Sequence, residues 1–270
     1  MQKIFVLSLL TAALVGCGSS GGGGGGGVGG MLGGLGSSTS SSTDLKVGAA
    51  ADAFKAVTVS DDELKSVTKQ LRAHEDKETK VAGPNSKYGK RLARLTAPLL
   101  NEDGLKLDFK VYDEKQVNAN ALPDGSIRVY SGLMDMMTDD ELRGVIGHEI
   151  GHVKLGHSMS AMRTAYMASA GRKAAASTSG VGGALAASQL GGLGEALLNN
   201  QFSQSQETQA DDYGLALMKK HGYNTKAMET AFRKIASLGD GKSKGALDSM
   251  MSSHPDAGKR ADRMREMASK

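Results

Sequence analysis

The sequence predicts an α+β fold that is mostly α: one domain in which a small β-sheet lies beside a central helix. Three observations point there. Two capping boxes, Ser60–Glu63 and Thr138–Glu141, open helices, and helical apolar patterns recur along much of the chain from Asp44 onward. Two short segments, Leu105 to Tyr112 and Ser126 to Tyr130, alternate in the manner of strands. Between the strands and the remaining helices lies His148-Glu149-Ile150-Gly151-His152, placed within an amphipathic helix.

Taken in order, Ser60-Asp61-Asp62-Glu63 is a capping box that starts a helix running to about Lys80. Pro84-Asn85 marks a turn, and Lys87 to Leu99 reads as a second helix with Tyr88, Leu92, Leu95 and Leu99 on one face. The strand over Leu105–Tyr112 follows. The turn Leu122-Pro123-Asp124-Gly125 leads into the strand over Ser126–Tyr130, and the two strands form the small sheet. Thr138-Asp139-Asp140-Glu141 is a further capping box, and Leu142, Val145, Ile146, Ile150 and Val153 continue an apolar stripe from it. Residues 159–200 are rich in Ala, Gly and Ser. They read as two loosely packed helices joined by a Gly-rich hinge near Ser179–Gly183, either a lid over a cleft or a surface hairpin. Helices near 202–221 and 225–238, and a last one near 256–268 after His254-Pro255, close the domain.

The chemistry centres on the H-E-x-x-H run. Residues i and i+4 lie about 40° apart on a helix, so the imidazoles of His148 and His152 reach one Zn²⁺ together. Glu149 points to the side of the metal, where it can accept a proton from the attacking water. A catalytic site needs a third protein ligand. His157 misses the spacing of the three-histidine pattern by one residue. On a continued helix it lies about 140° round from His152, so it reads as a surface or second-helix contact. The better source is Glu207 with Asp211, an i, i+4 carboxylate pair suited to one metal ligand and one acid that orients a histidine. With the upstream histidines it makes a gluzincin-type signature.

Several segments resemble the HtpX/CAAX-endopeptidase family of zinc metallopeptidases. They are Asn118 to Met134, Asp140-Glu141-Leu142, His148 to His157, Asn200 to Glu207, Ala210-Asp211, and His254-Pro255 with Arg260. Within that family the chain is similar to the LoiP-type outer-membrane lipoprotein metalloproteases, from about residue 45 to the C-terminus. The resemblance implies a single zincin-like domain holding one Zn²⁺ per chain. It implies His148, His152 and Glu207 as zinc ligands, Glu149 as general base and Asp211 behind the ligands. His254 and Arg260 then belong to a loop facing the metal, where His254 either stabilises the oxyanion or occupies the fourth metal position and idles the enzyme. The chain departs from the family at Gln209, where an acidic residue is common, and at Asp124-Gly125, where Gly usually follows the loop Pro.

The ends and the composition set the context. Met1-Gln2-Lys3 and Ile4 to Val15 form the basic and apolar parts of a signal peptide over residues 1–16, too short to span a bilayer. Leu14-Val15-Gly16-Cys17 matches a lipobox, so Cys17, the one cysteine of 270 residues, is expected to be lipidated. The Gly/Ser tract up to residue 43 reads as a tether with a reach of roughly 25–30 Å, and residues 44–270 as the peptidase domain. Gly18 after Cys17, with the resemblance, implies the periplasmic face of the outer membrane. The composition, 39% hydrophobic and 23% charged with a net charge of +4, is that of an ordinary globular chain, and its bases are dispersed, which argues against nucleic acid as a partner. The function expected is an endopeptidase acting on unfolded or misassembled envelope proteins, in contact with the outer membrane and with other outer-membrane proteins. The rival is a chaperone or assembly factor using the same cleft with little turnover.

Overall fold

The computed structural model describes residues 59–173, 185–198, 200–239, 250 and 253–269, all within one compact unit that spans Ser40–Lys270. The segment read as a signal peptide, Cys17, the Gly/Ser tract and the hinge expected near Ser179–Gly183 lie outside the described residues.

The first helix, α1 (Asp61–Glu78), starts at the expected box: the Ser60 side chain accepts from Glu63 N, and Glu63 answers to the Ser60 backbone. α2 (Lys87–Thr96) is capped by Ser86 and ends in a 3₁₀ turn, Ala97–Leu99, at Pro98. Three strands follow: β1 (Asp108–Tyr112), β2 (Ala119–Ala121) and β3 (Ser126–Tyr130). The two expected strands do pair, in parallel, with Asp108 opposite Ser126 and Tyr112 opposite Tyr130. The third strand was not expected. β2 pairs antiparallel on the far side of β3, which makes β3 central. The hairpin between them closes through Gly125 N to Leu122 O at 3.0 Å. Gly125 has φ +87°, and a Cβ there would stand 2.2 Å from Lys106 O, so this glycine is required.

β3 is buried from Ser126 to Val129 and carries Arg128, 1% exposed, in its middle. Arg128 is tolerated because Asp76 on α1 takes it with both oxygens, at 2.9 and 3.0 Å. Arg72, also on α1, donates to Ser126 Oγ at 3.0 Å and Asn120 Oδ1 at 2.8 Å. The first helix is thus fastened to one face of the sheet by charge-assisted bonds. The outer edge of β1 is covered by a bridge from Val81 to Tyr112, leaving β2 as the other edge.

A short helix, α3 (Ser131–Met136), leads into α4 (Asp139–Lys154), which opens on the expected Thr138/Glu141 box. Leu142, Val145, Ile146 and Ile150 are buried in the main core with Ile127, Val129, Leu133 and Met134 from the sheet side. α4 ends at Gly156, φ +77°, and the chain turns at once into α5 (His157–Lys173). α5 and α6 (Ala187–Leu198) join α1 around a second apolar cluster of Leu64, Leu71, Met162, Tyr166 and Leu193. α7 (Gln204–Lys220), α8 (Lys226–Gly239) and α9 (Ala257–Ala268) complete the described fold, close to the ranges read from the sequence. No described helix is long and apolar enough to cross a membrane.

Candidate metal centre

The centre forms where α4 and α7 touch backbone to backbone. Gly147 and Gly151 on α4 face Gly214 and Ala210 on α7. A Cβ on Gly214 would lie 2.9 Å from His148 N, and one on Gly151 would lie 3.0 Å from Ala210 O. Only glycine permits that approach. It lets the short Glu207 side chain, at the start of α7, reach histidines on another helix.

Four side chains, His148, His152, Glu207 and His254, bring one donor atom each within 4.8 Å of one another, and all four are buried. His152 Nε2 lies 3.0 Å from His148 Nε2 and 3.3 Å from Glu207 Oε1. His148 Nε2 lies 3.6 Å from Glu207 Oε2, and His254 Nδ1 lies 2.9 Å from Glu207 Oε1 and 3.3 Å from His148 Nε2. Zinc bonded to four atoms at 2.0–2.1 Å has tetrahedral edges of about 3.3 Å. The side chains therefore fit a zinc ion in size and in donor type. Glu149 stands beside them, 2% exposed, with Oε1 3.6 Å from His254 Nε2. That oxygen has no hydrogen-bond partner among the described residues, so it is free to take a proton from a molecule in the cleft.

The other nitrogen of each α4 histidine is held in turn. His148 Nδ1 meets Asp211 Oδ1 at 2.9 Å, and Arg260 on α9 clasps Asp211 at 2.6 and 2.9 Å. Arg260 also pairs with Glu207 and lies over the Phe232 ring, 4.3 Å from its centre. Burial pushes Asp211 up, but His148 and Arg260 outweigh it and hold the carboxyl below its ordinary value. Glu207 is likewise held well below the carboxylate range, with burial opposed by His254 and His148. Burial, helped by neighbouring His148, pushes His152 well below an ordinary imidazole, which keeps its lone pair available.

His157 corrects the sequence reading in part. It is not at the surface. It is 5% exposed, its Nδ1 lies 3.2 Å from His152 Nδ1, and its Nε2 lies 3.1 Å from Gln209 Oε1. The continuous-helix geometry failed because the chain turns at Gly156, and the contact is the second-helix one. Phe202 was also missed. Its ring stacks on His152 at 3.9 Å and 26°, and its backbone N donates to Ser253 O, which ties the start of α7 to the His254 loop. Gly156, a stop signal just past the apolar stripe, was the available clue to His157; nothing local marks Phe202.

Comparison with known proteins agrees with this geometry. The family model described as peptidase family M48 matches residues 87–268. The chain is 44% identical over 224 residues to metalloprotease LoiP of Escherichia coli (strain K12), covering 83% of this chain and 87% of that protein. It is 41% identical over 225 residues to metalloprotease YcaL of the same organism, with the same coverage. It is 27% identical over 176 residues to mitochondrial metalloendopeptidase OMA1 of Arabidopsis thaliana, covering 65% of this chain and 34% of that protein.

Proposed function

We propose, from the premise that this chain belongs to peptidase family M48 and is a metalloendopeptidase, that His148, His152 and Glu207 hold its zinc ion and Glu149 is its general base. The observation that carries this is the meeting of Glu207 with the two α4 histidines at tetrahedral edge distances, with Glu149 Oε1, which no described residue hydrogen-bonds, alongside. Bound there, zinc supplies Lewis acidity toward the scissile carbonyl and lowers the pKa of water toward about 7. Glu149 takes the proton of the attacking water and hands it to the leaving amine. Asp211 and Arg260 hold His148 in the tautomer that leaves Nε2 facing the ligand set. β2 lies at the sheet edge and packs beside α4, where its main chain can pair with an extended peptide. Pairing of that kind suits unfolded substrates of varied sequence.

The substrates we infer are unfolded or misassembled envelope proteins, met by an enzyme anchored through Cys17 at the periplasmic face of the outer membrane. The lipobox, Gly18 and the Gly/Ser tract support that location. A second reading, a holder of such proteins with little turnover, draws support from His254, whose Nδ1 completes the four-donor set. Zinc content measured together with casein cleavage separates them. Wild type is expected to bind one zinc and cleave. Glu149→Gln is expected to keep the zinc and lose cleavage, because an amide cannot accept the proton. Wild-type cleavage by Glu149→Gln would refute the mechanism, and zinc-loaded wild type that never cleaves would favour the holder.

A further inference from the structure

We propose that His157 and Gln209 are positioning residues for the metal, linked to His152 by a hydrogen-bond chain of fixed direction. The inference rests on His152 being a zinc ligand. His152 Nε2 faces His148 Nε2 and Glu207 Oε1, so its lone pair must point into the ligand set and its Nδ1 must carry the proton. The group 3.2 Å from that Nδ1 is His157 Nδ1, which therefore accepts. A neutral imidazole that accepts at Nδ1 is protonated at Nε2, and His157 Nε2 meets the carbonyl oxygen Gln209 Oε1 at 3.1 Å. The Gln209 amide is then turned toward Ser205 Oγ, 3.4 Å away. Each link fixes the tautomer of the next, and no link places two donors or two acceptors face to face.

The two zinc histidines are thus oriented by unlike partners. His148 leans on a carboxylate held by an arginine, while His152 leans on a second imidazole that ends at a neutral amide. A neutral terminus polarises His152 less than a carboxylate does, so the chain sets its ligand strength below the maximum this geometry allows. The turn at Gly156 makes the arrangement possible by placing the first residue of α5 back beside α4.

The test is zinc affinity of the full chain by competition with a chelator of known affinity, together with the visible spectrum of the cobalt-substituted protein. His157→Phe, which keeps a flat aromatic ring and removes the acceptor, is expected to weaken zinc about 10–100-fold and shift the cobalt bands. His157→Asn, with an oxygen near the Nδ1 position, is expected to recover part of the loss. Gln209→Glu is expected to tighten zinc above wild type, a gain that packing alone does not produce. Gln209→Ala changes an exposed side chain and decides the matter if His157→Phe does not fold; a measurable loss is expected. The proposal is overturned if both His157→Phe and Gln209→Ala bind zinc within about twofold of wild type while His152→Ala loses it. Wild-type affinity in His152→Ala would instead overturn the ligand assignment, and the relay with it.

Discussion

At the scale of single residues, the legible part of the centre was the part encoded at short range. The His148/His152 pair and Glu149 follow from the 3.6-residue period alone, and Glu207 with Asp211 from the same period on another helix. What local spacing does not encode is which groups meet across the fold, so the pairing of His157 with His152 and Gln209, and the stacking of Phe202 on His152, came only with the structure. Replacing His148, His152 or Glu207 by Ala is expected to abolish stoichiometric zinc, measured by elemental analysis. His254 poses a sharper question. Its Nδ1 stands within the donor set and its Nε2 faces Glu149, an arrangement that closes the position a peptidase needs open. His254→Ala is therefore expected to raise basal casein cleavage. A 10²–10³-fold fall in kcat would instead make it the oxyanion donor. An unchanged rate and zinc affinity would make the loop structural.

At the scale of elements, the capping boxes fixed helix starts well, because Ser60/Glu63 and Thr138/Glu141 each satisfy backbone donors within four residues. β2 was invisible for the opposite reason: Ala119-Asn120-Ala121 has neither strand composition nor length, and only pairing with β3 makes it a strand. The glycine contact between α4 and α7 was equally hidden, since Gly147 and Gly214 acquire meaning only face to face. Gly214→Ala is expected to lower stability by about 1–3 kcal/mol through overpacking, against the helix-propensity gain, and to weaken zinc. Gly191→Ala on α6, with nothing within 4 Å of its added Cβ, is expected to stabilise by up to about 1 kcal/mol. Urea titration reads both. Asp76 carries a pH signature of the α1–sheet contact. Burial pushes it up, but hydrogen bonds from Arg128, Lys110 and Tyr112 outweigh burial and hold it well below the carboxylate range. A carboxyl lowered in the folded state stabilises fully above its unfolded pKa, about 3.9, and loses that contribution as pH falls toward the folded value. Asp76→Asn is expected to cost about 1–3 kcal/mol at pH 7, where it strips the charged partner from buried Arg128, and less at pH 3.

At the scale of the whole molecule, the mostly helical α+β class was readable because periodicity sums over long segments, whereas the division into two apolar clusters depends on how α1, α5 and α6 pack together. The proposed location has its own test. Cys17→Ser is expected to leave the protein unprocessed at the lipobox or free in the soluble periplasm on fractionation. Normal processing and outer-membrane recovery of that variant would reject lipid anchoring. The stacked Phe202 ring, bonded through its backbone to Ser253 beside His254, has a consequence in time. We expect that wall to gate access to the ion, in which case the rate of zinc loss levels off as chelator concentration rises. The plateau would clock the opening of the wall. Phe202→Ala, by thinning it, is expected to raise the plateau and shorten the residence time of the ion.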